Sequence, residues 1–211
     1  MIPNAITLNY DTRKYPFRKI LSEQVFRVPR IDKLHHYWAA QSGKKKLDYG
    51  DNLLLRKIMQ RLPVTSDFYH LYHRWLEEII GPRYGNKISY TMHPKMRVHL
   101  SGTPSVSDFH NDASVTGRDD QINVYLPFTD VFDGSTLWCQ KDYESTESIP
   151  LNLKYGQALI WDGGYLSHGT KENNTDVTRV SCDFRFAYLD ESRVKGKYRN
   201  VLAGRPLAGQ P

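Results

Sequence analysis

At 211 residues the chain is long enough to bury a core without disulfide or metal staples, and 39% hydrophobic residues, 25% charged residues and a mean hydropathy of −0.60 exclude a membrane-spanning class. The +6 charge is carried by short scattered groups (RKYPFRK, GKKK, RVKGKYR) with no nucleic-acid-binding module, so a solvated basic surface that also draws small anions is the expectation, with no nucleic-acid partner. Two cysteines, Cys139 and Cys182, exclude a disulfide scaffold and read as small buried hydrophobes rather than reactive thiols; with neither a secretory signal nor an anchor in MIPNAITLNYDTRKYPF, a single cytoplasmic domain is expected.

In chain order, residues 1–45 mix prolines, aromatics and charges and read as extended segments wrapping a core, with a short helix at about 31–40. A helix at about 51–61 follows, with Leu54, Leu55, Ile58 and Met59 at helical spacing before Pro63. A second helix opens at Thr65-Ser66-Asp67, which offers N-cap oxygens, and is expected to stop at Gly81-Pro82. Its Phe68, Leu71, Tyr72, Trp75, Leu76 and Ile79 form one apolar stripe that needs a sheet to cover.

From about Ile88 to Tyr188 the hydrophobic period changes from 3.6 to 2. Met96, Val98 and Leu100 alternate with Arg97, His99 and Ser101; Ile122, Val124, Leu126 and Phe128 with Gln121, Asn123 and Tyr125; Val180, Cys182, Phe184 and Phe186 with Arg179, Ser181, Asp183 and Arg185. Each strand therefore has one apolar and one polar face. So many polar residues of mixed sign suit strands that close around a small polar cavity, with helices over the outer apolar face. Turn signals at Phe132-Asp133-Gly134, Lys154-Tyr155-Gly156 and Asp162-Gly163-Gly164 separate short strands as a jelly roll requires. The expected layout is a single domain with an N-terminal extended and helical layer at 1–87, a jelly-roll core at 88–190, and a C-terminal arm or lid at 191–211.

Within the core, His110 and Asp112 (SDFHNDAS) share strand parity and can place two ligands on one metal, and His168 (GYLSHGTKENN) follows an apolar strand and a glycine turn. Two imidazoles and a carboxylate can hold a divalent metal on one triangular face and leave the other open. Singly these signals are weak, because H-x-D is a common triplet and a lone histidine is ordinarily structural. Arg179 and Ser181 (TRVSCDFRF) add weight: an arginine on an inward strand face is costly without a carboxylate. Two partners are open to it, an internal acid such as Asp183 or the far carboxylate of a bound dicarboxylate, for which 2-oxoglutarate is the natural candidate beside a metal.

The ordered set H-x-D, distal H, R-x-S resembles the Fe(II)/2-oxoglutarate-dependent dioxygenase superfamily. The run from Asp108 to Phe186 is similar to its phytanoyl-CoA hydroxylase-like members and, more closely, to the oxygenases of streptomycin biosynthesis. The resemblance covers roughly half the chain and implies a double-stranded β-helix, mainly β with flanking α, covered by helices on one sheet. It implies iron ligation by His110, Asp112 and His168, and anchoring of the 2-oxoglutarate C5 carboxylate by Arg179 and Ser181. It also implies consumption of dioxygen with release of succinate and CO2. An intact Asp112 points to hydroxylation, desaturation or ring closure rather than halogenation. Trp138, Cys139 and Gln140 depart from the family's usual wording and leave the substrate pocket undefined.

Asn123 is a candidate to bond the 2-oxoglutarate carboxylate, and Arg97, His99, Tyr125 and Arg185 are candidates for substrate contacts, with an internal hydrogen-bond network as the alternative for each. The expected substrate is a small metabolite such as an amino acid, an amino sugar or a natural-product intermediate. Two rivals share the fold: a cupin-type binding protein without oxygen turnover, and a zinc-type isomerase or hydrolase.

Overall fold

A computed structural model describes residues 2–84 and 88–189; the expected arm or lid at 191–211 lies outside them. Strand β1 (Ile6–Asn9) comes first, then α1 (Phe17–Ile20), which continues as a π-helical turn (Leu21–Phe26), and a 3-10 turn (Ile31–Lys33) leading into α2 (Leu34–Ser42). Helices α3 (Tyr49–Gln60) and α4 (Asp67–Trp75) follow, the latter running through a second π-helical turn (Leu76–Ile80) into α5 (Gly81–Tyr84). The strands are β2 (Ile88–Tyr90), β3 (Lys95–His99), β4 (Ile122–Pro127), β5 (Trp138–Gln140), β6 (Ser148–Pro150), β7 (Gln157–Trp161), β8 (His168–Gly169) and β9 (Arg179–Tyr188), with the short helix α6 (Asp112–Thr116) between β3 and β4.

The strands form two antiparallel sheets: a large one in the order β1-β7-β4-β9-β2, with β3 sharing the β9 edge beside β2, and a small one in the order β6-β5-β8. The fold is mainly β with flanking helices, a jelly roll. Alternation sorts the large sheet. Val98, Val124, Leu126, Ile160, Val180, Cys182 and Phe184 face outward and join Phe17, Phe68, Tyr72 and Trp75 in one cluster under the helices, while Tyr125, Leu159 and Trp161 face inward among Cys139, Leu151, Leu153 and Leu166. Both cysteines are free and buried.

Four local expectations are corrected. In α3 the buried face is Asp51, Asn52, Leu55 and Met59, and Leu54 and Ile58 are 49% and 40% exposed. Polar residues occupy the inner face because their bonds are met. Asp51 and Asp48 form a reciprocal cap, and Trp38 and Lys44 donate to Asp51; Asn52 accepts from Leu100 N at 2.7 Å and donates to Thr103 Oγ1 at 2.9 Å. The second helix does not stop at Gly81-Pro82. The π-turn ahead of Gly81 shifts the hydrogen-bond frame so that Pro82 falls in a new first turn, where a missing N–H costs little. Ser66 stands at the α4 N-cap without a side-chain cap bond. The N-terminal stretch carries more regular structure than expected, since β1 pairs with β7 from Ile6↔Ile160 to Asn9↔Gln157.

The two α3 leucines provide a test. Leu55→Ala should cost about 2–5 kcal/mol in denaturant unfolding because Leu55 is 1% exposed, whereas Leu54→Ala should stay within about 0.5 kcal/mol. Equal costs would contradict the packing of α3.

Candidate metal and carboxylate site

His110 and His168 lie opposite each other in an isolated antiparallel bridge, His110 N to His168 O at 3.0 Å and His168 N to His110 O at 2.8 Å. The bridge needs Gly169, because a Cβ there would come within 2.9 Å of the Phe109 backbone. Each ring is oriented alike: His110 Nδ1 lies 2.8 Å from Asp108 O and His168 Nδ1 lies 3.0 Å from Leu166 O. A carbonyl only accepts, so in both rings Nδ1 carries the proton, and Nε2 is the nitrogen left to offer a lone pair to a metal. Burial lowers the His168 pKa, favouring that neutral form.

Asp112 arrives by a different route from the expected one. The sequence reading placed it on a strand beside His110; instead it is the first residue of α6, capped by Asn111, whose Oδ1 accepts Ser114 N at 3.0 Å. Its amide donates to Gly163 O at 2.9 Å, so the loop is pinned to the turn after β7, and parity plays no part. One ligand atom from each of His110, Asp112 and His168 lies within 4.8 Å of the others, a spacing at which one ion can bridge all three. The donor set fits a divalent metal: two nitrogen lone pairs and a carboxylate, each held by a further hydrogen bond as metal ligands usually are.

The Asp112 carboxylate is held on both oxygens. Arg185 Nε donates to Oδ2 at 2.7 Å and its Nη2 to Oδ1 at 2.5 Å, while Asn123 Nδ2 donates to Oδ2 at 2.5 Å. With two lone pairs per oxygen, Oδ2 is filled and Oδ1 retains one, and Oδ1 is the atom 3.7 Å from His110 Nε2. Burial acts to raise the Asp112 pKa, but the bonds from Arg185 and Asn123 outweigh it and hold the carboxyl below its usual range. Asn123 in turn is packed under Gly163, where any Cβ would fall 2.6 Å from its amide.

Strand β9 arrays its inner face in rows. Arg185 stands opposite Asn123, Asp183 opposite Lys95 and Tyr125, Ser181 opposite Arg97, and Arg179 opposite His99. Arg97 Nε donates to Asp183 at 2.8 Å, so the acid considered as the internal partner for Arg179 belongs to Arg97. Arg179 is 1% exposed, and its Nε and Nη1 have no hydrogen-bond partner; the Tyr125 hydroxyl is the polar group beside it. Ser181 Oγ, two residues on along the same face, is also buried and unpartnered, as are His99 Nδ1, Asn123 Oδ1 and Trp161 Nε1. Buried polar atoms left unpaired cost about 1–3 kcal/mol each, so such a concentration along one interior marks a place built for a polar ligand.

One cavity in this interior is lined by Lys95, Arg97, His110, Asp112, Asn123, Tyr125, Trp161, His168, Arg179, Asp183 and Arg185 among others. The structure thus brings the three expected metal ligands and Arg179 to one cavity, with Ser181 buried on the same strand face opposite Arg97. Arg97, Asn123 and Arg185, expected on bound ligands, are engaged with Asp183 and Asp112. His99 is a buried neutral ring whose Nε2 faces Pro104 O at 3.0 Å; burial, aided by the Arg179 charge, pulls its pKa down to about 3. The sequence reading missed Lys95 and Trp161. Lys95 was detectable, since it shares parity with Arg97 and His99; Trp161 was hidden by the unbroken apolar run ALIW.

No protein-family model matches the chain. Over 131 residues it is 30% identical to the streptomycin biosynthesis protein StrG of Streptomyces griseus, an alignment covering 62% of this chain and 60% of that protein, so the chain spans less than two thirds of the curated relative it matches. Among solved structures it superimposes on the non-haem monooxygenase ThoJ in complex with nickel at a TM-score of 0.58 with 11% identity, covering 88% of this chain and 74% of that one. It matches EctD from S. alaskensis, solved with 2-oxoglutarate and 5-hydroxyectoine, at a TM-score of 0.56 with 12% identity, covering 88% and 72%. At these identities the shared property is the fold, a jelly roll.

Two measurements follow from the geometry. Asn123→Ala should weaken Ni(II) binding about 10- to 100-fold in competition with a chelating dye, the usual cost of losing a ligand's outer partner; unchanged affinity would remove Asn123 from that role. His99 takes up a proton near 6.5 when unfolded but only near 3 when folded, so its contribution to stability is lost as pH falls from about 6.5 toward 3, by up to ~1.4 kcal/mol per pH unit. His99→Gln should flatten the pH dependence of unfolding free energy across that window, and an unaltered slope would show that the ring is not held neutral.

Proposed function

We propose that the chain is a non-haem Fe(II)- and 2-oxoglutarate-dependent oxygenase that oxidises a small metabolite with release of succinate and CO2. The observation that carries this reading is Arg179, a fully buried guanidinium with two unpartnered nitrogen sites and an unpartnered Ser181 hydroxyl along the same strand. A dicarboxylate reaching from the His110, Asp112 and His168 cluster would meet both needs: one end at the metal, the other on Arg179 through paired charge-assisted bonds. The fold shared with ThoJ and EctD and the sequence similarity to StrG support the same assignment.

The roles of the residues follow from their geometry. His110 and His168 offer Nε2 and keep Nδ1 on backbone carbonyls, which fixes the direction of both lone pairs. Asp112 would offer Oδ1 to the metal while Arg185 and Asn123 hold Oδ2, so a single carboxylate oxygen is free for ligation. Iron with 2-oxoglutarate couples decarboxylation of the keto acid by dioxygen to oxidation of the substrate. Arg179 and Ser181 orient the keto acid, and Trp161, packed edge-on against His168 at 4.7 Å, forms the wall that keeps water from that side. The carboxylate at position 112 favours hydroxylation, desaturation or ring closure over halogenation.

Anaerobic addition of Fe(II) and 2-oxoglutarate should produce the visible iron-to-keto-acid charge-transfer band, and admitting air should abolish it with release of succinate. A protein that binds iron without the band would instead fit a binding protein or a zinc-type enzyme. Arg179→Leu should weaken 2-oxoglutarate binding at least about 100-fold while leaving metal affinity nearly intact. Loss of both together would reduce Arg179 to a structural role.

A further inference from the structure

The cavity that holds the candidate site is lined by four cations, Lys95, Arg97, Arg179 and Arg185, and two carboxylates, Asp112 and Asp183. Both carboxylates are committed. Asp183 accepts from Arg97, and Asp112 accepts from Arg185 in a two-pronged pair. Arg179 and Lys95 remain without an acid, since neither forms an ion pair among the described residues. On the oxygenase reading, the far carboxylate of 2-oxoglutarate answers Arg179. The metal's two charges and the two carboxylates of 2-oxoglutarate cancel, so the cavity keeps a surplus of two positive charges, and Lys95 is still unmatched.

The position of Lys95 separates it from the other three. It opens β3 at the edge of the cavity lining, exposed to solvent but partly desolvated, and it stands opposite Asp183 in register without closing an ion pair to it. Arg97, its neighbour on the same strand face, holds Asp183 instead, and Arg56 from α3 adds a further positive charge felt by Arg97. A neutral or cationic substrate entering here would meet an uncompensated positive field; an anion would be drawn in and held.

We propose that the substrate oxidised in this cavity carries an anionic oxygen group, a phosphate monoester or a carboxylate, and that Lys95 at the rim is the residue that selects it. This substrate class rests on the oxygenase reading; the anion site at Lys95 stands on the charge layout alone. The anion sits between Lys95 and the Arg97 and Arg185 side of the cavity, away from Arg179, which lies at the far end of β9's inner row from Arg185. The part of the substrate remote from the anion then extends toward the metal-ligand cluster. A phosphate monoester matches the surplus best, because its charge of up to two negatives equals the two positive charges left when metal and 2-oxoglutarate are bound.

The test is calorimetric titration of the full chain with glucose 6-phosphate, gluconate and glucose, at low and at physiological salt. Glucose 6-phosphate should bind, glucose should not, and gluconate separates carboxylate from phosphate recognition: binding as tight as the phosphate assigns the rim to either anion, and no binding assigns it to phosphate. Lys95→Ala should weaken phosphate binding tenfold or more, Lys95→Arg should restore most of it, and Arg179→Leu should leave it in place. The inference is overturned if Lys95→Ala changes nothing, if glucose binds as well as its phosphate, or if Arg179→Leu abolishes phosphate binding, which would place the anion in the keto-acid site. Failure of 2-oxoglutarate to bind in the charge-transfer experiment, with phosphate binding still dependent on Lys95, would sink the oxygenase reading and leave the anion site standing.

Discussion

The register of β9 is the constraint on which the rest of this structure depends. This ten-residue strand pairs with β4 along one edge and with β3 and β2 along the other, and its two faces have opposite jobs. Val180, Cys182, Phe184 and Phe186 lock the sheet to the helices, and that packing in turn forces Arg179, Ser181, Asp183 and Arg185 into the interior. A slip of one residue would put four polar side chains under the helices and four apolar ones into the cavity, so the hydrophobic core itself holds the site in place. Burial of the outer face thereby offsets the cost of keeping an unpaired guanidinium inside.

From that strand the interior divides into distinct charge roles. Arg185 and Asn123 serve Asp112, Arg97 serves Asp183, and Arg179 is left open at one end with Lys95 open at the rim. The three metal-ligand candidates come from elements with no common strand: a bridge between the loop at His110 and the start of β8 for the histidines, and a short helix pinned to the β7 turn for Asp112. Their convergence depends on close backbone approach at Gly163 and Gly169, where a side chain would strike Asn123 or the chain at Phe109. Positioning is therefore achieved by backbone contacts, and protonation by the carbonyls that face each Nδ1.

The sequence made most of this legible where the period of the pattern was clear. Alternation in MRVHL, QINVYLPF and RVSCDFRF separated inner from outer faces, and the buried stripe of α4 was read correctly at Phe68, Leu71, Tyr72 and Trp75. It failed where polar residues are buried with satisfied bonds. Asp51 and Asn52 occupy the inner face of α3 that Leu54 and Ile58 were expected to hold, because hydrogen bonds from Trp38, Lys44 and the β3 loop replace the hydrophobic gain. It failed again at α5, where a π-turn resets the helix ahead of Pro82.

By itself, then, the sequence determined the chemistry available: two histidines, an aspartate, an arginine and a serine on a β scaffold, ordered as in the 2-oxoglutarate oxygenases, because residue identity and strand alternation are local properties. Which partner each charge takes was decided only by the tertiary structure. Asp183 could have neutralised Arg179, and Asn123 and Arg185 could have faced a ligand; cross-strand register gave Asp183 to Arg97 and set Asn123 and Arg185 on Asp112. Pairing among inward charges depends on distances between strands far apart in sequence, and no periodicity along one strand records them.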